Sequence, residues 1–152
     1  MIGYVMSFTL LFIVCFENAI HKASHHKWSG KLYEWHRIHH SDYPAIALTS
    51  EKYIDSATRY DNLFVRYGVI SLGVFYCVLA HEVFMIIASE IVAYAFLIEY
   101  FHEHFHLNES WLNQYEWFRI LKHNHHQHHR RQDKNFSFLT TIVDDIQGTR
   151  EL

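Results

Sequence analysis

The sequence predicts an all-α protein of integral-membrane helices, about three spans, with a helical, histidine-box cap on the cytoplasmic side. Three observations carry this expectation. Half of the residues are hydrophobic and 17% are aromatic, with a single proline, a composition that can bury a core or face lipid and argues against disorder. The apolar residues gather in two blocks, about 1–20 and 63–101, whose lengths suit bilayer crossing. All histidines but His81 lie outside those blocks, in spaced groups.

The chain of 152 residues favours one domain, 1–152. Residues 1–20 are apolar from Met1 through Cys15, with Glu17 and Asn18 near the end. A signal peptide would begin with basic residues and end at a small-residue cleavage site. This run instead leads straight into histidines, so it is read as a retained span. Residues 21–62 are polar and rich in His, Lys, Tyr and Trp, and are expected to form helices broken near Gly30 and Pro44. Residues 63–101 suit two spans, about 63–80 and 83–101, joined by a tight turn beside His81 and Glu82. Residues 102–152 return to a polar, histidine-rich segment.

A two-span hairpin returns the chain to the side it left, so segments 21–62 and 102–152 are expected on one face. Lys22, Lys27, Lys31, Arg37, Lys122, Arg130, Arg131 and Lys134 fall on that face, and the turn at 80–83 has no Lys or Arg. The positive-inside rule then makes the histidine face cytoplasmic. A soluble all-helical protein with a very apolar core is the competing reading, supported by Arg66, Glu90 and Glu99, because charges inside spans are costly. Glu90 is the hardest of these to place. It must face a neighbouring helix or a polar cavity.

Fifteen histidines in 152 residues is several times the usual frequency of about one in forty to fifty. They form an HxxxH with an extra histidine (His21, His25, His26), an HxxHH (His36, His39, His40), a second HxxxH (His102, His106, with His104 between) and a last group, His123 to His129, that holds a second HxxHH (His125, His128, His129). On a helix, residues three or four apart share a face. HxxxH therefore aims two imidazoles at one point. HxxHH aims two at one point and turns a third aside, toward a second metal. HxxxH alone is a weak signal at this histidine content, whereas two HxxHH copies are a stronger one. A solvated histidine patch is the plainer alternative, but packed histidines repel once protonated, and a metal holds them neutral. Eight to ten arranged imidazoles imply two metals rather than one four-coordinate zinc. Imidazole suits zinc, copper, iron and nickel, so spacing does not choose the element. Cys15 and Cys77 form no CxxC pair, which argues against a disulfide framework, a cluster or a cysteine zinc site. The net charge of -3 and the lack of a long basic run give no sign of nucleic-acid binding.

These motifs resemble the fatty acid hydroxylase/sterol desaturase superfamily of membrane di-iron enzymes. The resemblance runs over about residues 17 to 150. Its boxes fall on His21 with His25 or His26, on His36, His39 and His40, on His102 and His106, and on His125, His128 and His129. The ending also looks like the family's, with Asn135-Phe136, then Asp144 preceded by Val143 where the family has tryptophan, then Gly148-Thr149. His40-Ser41-Asp42 is similar to the family's continuation of the second box. Family chains are usually longer, with about four spans, so this one corresponds to a fragment or a minimal member.

The resemblance implies two Fe ions held by these eleven histidines, O2 as co-substrate, a lipid substrate entering from the bilayer, and hydroxylation or desaturation as the reaction. The sequence has no dinucleotide fingerprint, haem-attachment motif or cluster cysteines, so an external electron donor such as a cytochrome b5, ferredoxin or reductase is expected. Asp42, Glu103, Asp133 and Asp144 are candidates to hydrogen-bond ligand imidazoles. Trp28, Trp35, Tyr100, Phe101, Phe105, Trp111 and Trp117 are candidates for a substrate entrance or an interfacial aromatic belt. The alternative function is a membrane protein that stores, senses or transports zinc or a similar metal without oxidase activity.

Overall fold

The computed structural model describes residues 2–56 and 63–151, with the side chains of residues 2, 63–69 and 71 outside the described set. The end of the first polar segment, 57–62, and the Arg66 side chain therefore lie outside the described residues. Among the described residues six α-helices follow in order: α1 Ile2–Ser24, α2 Lys31–Asp42, α3 Leu63–Val78, α4 His81–Phe105, α5 Glu116–Arg130 and α6 Ile142–Gln147. Among the described residues there is no β-strand, only an isolated bridge between Ser50 and Leu107.

α1 and α4 are the long apolar helices. No proline interrupts either one, so the backbone ladder stays intact along its length. Their 23 and 25 residues reach about 34 and 37 Å at 1.5 Å per residue, enough for a hydrocarbon core of about 30 Å. Both meet the length and composition of a membrane span and are almost wholly exposed within the protein. The apolar side chains Phe8, Leu11, Phe12 and Phe16 of α1, and Met85, Val92, Phe96 and Leu97 of α4, point outward. The core helix of a soluble protein would bury such a surface.

The expected spans are met in part. Only α1 and α4 qualify as spans among the described residues. α3, at 16 residues, reaches about 24 Å, short of the core thickness. The helices also overrun the expected limits of 20 and 101, because the histidines that follow the apolar runs continue the same backbone ladder. His21 thus sits in the last turn of α1, and His102 in the last turn of α4. These two ligand candidates ride on the apolar helices rather than on the polar segments after them.

α1 packs along α4, with Thr9 buried on α1 and its hydroxyl returned to the Val5 carbonyl at 2.9 Å. Near the polar end, the Tyr94 hydroxyl of α4 donates to Glu17 of α1 at 3.1 Å. The carboxylate oxygens of Glu90 are buried and have no hydrogen-bond partner among the described residues.

The polar elements fold over that end of the pair. Gly30, at φ 62°, allows the turn from α1 through Lys27–Ser29 into α2. α2 stops before Pro44, as expected. The loop after α2 returns to α4 through the bridge, where Ser50 N–H donates to His106 O and Asn108 N–H to Ser50 O, both at 2.9 Å. Phe105, Leu112 and Phe118 form a small buried core under α5, with Tyr100, Phe101, Leu121 and Phe138 against it. Phe105 is therefore core, not part of an entrance or a belt. Trp28, Trp111 and Trp117 are exposed.

Candidate metal centre

α5 is amphipathic. It buries Phe118, Asn124, His125, His128 and His129 on one side, the pattern of a helix with one stripe facing inward. That stripe meets the inward histidines of α1, α2 and α4, and the imidazoles sort into two groups. His21, His25, His36 and His128 have ligand nitrogens all within 4.8 Å of one another, and so do His39, His106, His125 and His129.

In the first cluster the Nε2 atoms close a ring. His128 to His25 is 3.0 Å, His25 to His36 is 2.7 Å, His36 to His40 is 2.9 Å, and His40 back to His128 is 3.2 Å. His40 thus joins the four. In the second cluster the Nε2 atoms form a chain, from His102 to His39 at 3.0 Å, His39 to His129 at 3.1 Å, His129 to His125 at 3.1 Å and His125 to His106 at 2.9 Å. The clusters abut, with the His40 ring stacked on that of His129 at a centroid separation of 4.2 Å.

Hydrogen bonding cannot account for these contacts. The Nδ1 atoms of His106, His129 and His128 face the carbonyl oxygens of Leu48 at 2.8 Å, Tyr43 at 2.7 Å and Lys134 at 2.7 Å. The Nδ1 of His21 faces that of Phe136. A carbonyl only accepts, so each Nδ1 carries the proton and each Nε2 presents a lone pair. His125 lies between the lone pairs of His106 and His129 and can donate to only one. The Nε2 of His21 is buried with no partner, which is costly unless something binds it. A cation at the middle of each cluster satisfies every lone pair at once. Nitrogens about 2.1 Å from a metal sit about 3 Å from one another at right angles, which matches the observed edges.

The local electrostatics favour the same state. Burial, followed by the neighbouring imidazoles, pushes His25 down to about 3. Burial is also the main cause that lowers His106 to about 3, His128 to about 4 and His129 to about 3. His36, His39, His40 and His125 are lowered by burial and then by neighbouring histidines. Neutral imidazole is the form that binds metal.

Ten of the eleven expected ligands thus converge, and His26 does not. α1 ends at Ser24 and the chain turns at His25 and His26, which leaves His26 exposed with its ring stacked on Trp28. His25 is the one that meets the cluster. His104 pairs with the Ser110 hydroxyl, His126 donates to the Phe105 carbonyl, and His123 is exposed. His81 is exposed at the far end of α4.

The expected acidic partners are a further correction. Asp144 accepts from the main chain and from Asn18 and Thr149, Asp42 accepts from Ser56 N–H, and Glu103 and Asp133 are exposed. Main-chain carbonyls orient His21, His106, His128 and His129 instead, and the Tyr53 hydroxyl meets the Nδ1 of His102 at 3.4 Å. Sequence reasoning also missed Tyr43, whose ring stacks on His106 at 3.8 Å, and Phe138, whose ring lies against His21, His102 and His125. It noted Glu17 and Asn18 only as polar residues closing an apolar run. That interruption was the available signal: Glu17 accepts from Phe138 N–H at 3.0 Å, and Asn18 donates to Ser137 at 2.7 Å.

The model of the family described as fatty acid hydroxylase matches residues 6–149, nearly the whole chain. No curated protein and no solved structure matches the chain.

Proposed function

The chain belongs to the fatty acid hydroxylase family, and on that premise we propose that it is a membrane-bound oxidoreductase that hydroxylates or desaturates a lipid with O2, two iron ions and an external electron donor. The observation that carries this reading is the convergence of ten neutral imidazoles into two abutting clusters at the ends of two exposed apolar helices. His21, His25, His36, His40 and His128 would hold one ion, and His39, His102, His106, His125 and His129 the other. Bound iron would supply the O2 and C–H chemistry.

The protein's own part is to aim the nitrogens, keep them unprotonated and keep water from the reacting carbon. Phe136 packs on His21, His25 and His128, and Phe138 on His21, His102 and His125. Together they give both clusters an aromatic wall. Glu17 fixes the Phe138 main chain and takes the Tyr94 hydroxyl, so that wall stands on the side of the apolar helices. The lipid enters there from the bilayer. In hydroxylation one oxygen atom ends in the alcohol and the other in water, with two electrons from the donor and two protons from solvent. In desaturation both oxygen atoms end in water. The donor is a separate protein such as a cytochrome b5, ferredoxin or reductase. It approaches the polar face, which carries Lys31, Arg37, Arg130 and Arg131 and faces the cytoplasm by the positive-inside rule. α3 completes the membrane portion as a third, short span.

Expression in a host of defined lipid content, followed by lipid mass spectrometry, tests the proposal. A lipid gaining 16 mass units, or losing 2, in the wild type but not in His128→Ala is the expected result. Tightly bound zinc with no iron-dependent O2 uptake would instead identify a metal-storing or metal-sensing membrane protein.

A further inference from the structure

Each cluster is aimed by its own stretch of main chain, and from this we propose that Asp144 is a positioning residue for the first metal site alone. It accepts from the N–H groups of Phe136 and Ser137, in the middle of the strap 134–138 whose carbonyls at Lys134 and Phe136 orient His128 and His21. The proposal rests on the two-metal reading above.

Asp144 is 2% exposed, and none of its side-chain hydrogen-bond donors is a cation. Its Oδ1 accepts from Phe136 N–H at 3.0 Å, Thr149 Oγ1 at 2.7 Å and Asn18 Nδ2 at 3.3 Å, and its Oδ2 from Ser137 N–H at 2.8 Å. Four donors make a buried carboxylate tolerable without a counter-ion. The same strap is held from its other side. Asn135, at φ 53°, donates its amide to Glu151 O at 2.9 Å, accepts from Glu151 N–H at 2.8 Å and gives its own N–H to Thr149 O at 3.0 Å. Gly148, at φ 67°, ends α6 and returns the chain to make those contacts.

Removing the carboxylate strands the N–H groups of Phe136 and Ser137 in a buried place. The strap must shift to satisfy them, and the acceptors of His21 and His128 shift with it. Those two ligands come from α1 and α5, so one strap sets the angle between helices far apart in sequence. The second site meets the strap only through the Phe138 ring, against His102 and His125, and the Phe138 N–H is held by Glu17 rather than Asp144. The second site's His106 and His129 are aimed by Leu48 and Tyr43, in the loop after α2.

The test uses the full chain in lipid nanodiscs, loaded with Co(II), and reads metal per chain together with the visible absorption of the bound ion. Wild type is expected to hold two ions. Asp144→Ala should hold one, with the spectrum of His36→Ala, a direct lesion of the first cluster. Asp144→Asn keeps Oδ1 and loses the Ser137 contact, and should hold the first-site ion about ten-fold more weakly, the range seen when a ligand's orienting partner is lost. Asp145→Ala, an exposed neighbour, should hold two. A folded Asp144→Ala chain that keeps both ions at wild-type affinity, or loses both, overturns the proposal. Should that variant not fold, Asp144→Asn decides, and unchanged affinity or equal weakening of both sites overturns it. A wild-type chain that binds fewer than two ions would instead refute the two-metal reading.

Discussion

The first cluster is partly open, whereas the second is more nearly sealed. His25 and His36 are half-buried and, with His40, line a cavity of about 180 Å³ bounded also by Ser24, Tyr33, Arg37 and Gln132. His39, His106, His125 and His129 are all buried, Tyr43 covers His106, and only His102 of this cluster is half-buried. The ligand chemistry is the same in both, so access is what separates them. The open cluster is suited to exchange with small molecules and to metal entry. In the sealed cluster the binding energy of an ion adds most directly to folding.

Four measurements bear on that contrast. Acid should give the largest effect and show no difference between the clusters. His25, His106, His128 and His129 have folded values near 3 to 4, against about 6.5 in the unfolded chain. The unfolded chain therefore takes up protons first as pH falls. Stability and metal content should be full above about pH 6.5 and be lost together as pH falls toward the folded values, followed by circular dichroism and metal release. Two well-separated acid steps would show that the clusters differ in chemistry after all.

Ligand truncation comes next. His106→Ala opens a cavity and strands the Leu48 carbonyl, at an expected cost of about 3–5 kcal/mol in denaturant unfolding. His25→Ala, beside the cavity, should cost about 1 kcal/mol or less. Equal losses would erase the distinction between sealed and open. Exchange should then separate the sites in time. A chelator is expected to remove one ion about ten-fold faster than the other, because local opening is easier where burial is lower. His36→Ala should abolish the fast phase, and persistence of that phase would misplace the open site. The smallest effect concerns the cavity itself. Arg37→Ala should weaken azide binding to the metal-loaded protein by no more than about five-fold, the scale of an exposed charge. The expected optical change is confined to the first site, and an azide response from the second would break the contrast.

The histidine spacing made the convergence of the imidazoles legible because the period of the helix turns sequence distance into direction. His21 with His25, and His102 with His106, each aim at one cluster, as HxxxH requires. The choice between His25 and His26 was not legible. It depends on where α1 ends, and nothing in the local composition marks Ser24 as the last helical residue. The orienting groups were hidden for a different reason. A carbonyl at Leu48, Tyr43, Lys134 or Phe136 exists whatever the side chain, so no motif announces it. Asn135, Asp144, Gly148 and Thr149 were visible as a familiar ending, but their task could be read only from the bonds that gather them around the strap. The long apolar block at 63–101 was legible as helical. Its division into two helices was legible too, since Leu79 and Ala80 separate α3 from α4, although α3 is shorter than α4.

One feature of the two HxxHH helices limits how the centre can change. α2 gives His36 and His40 to the first cluster and His39 to the second, while α5 gives His125 and His129 to the second and His128 to the first. Inserting or deleting one residue within either box turns the following imidazoles by about 100°. Because each helix is committed to both clusters, such a change damages both together. Point substitutions can alter one ion's surroundings, but the lengths of these boxes are shared property, and descent with gain or loss of a residue there is closed to an active lineage.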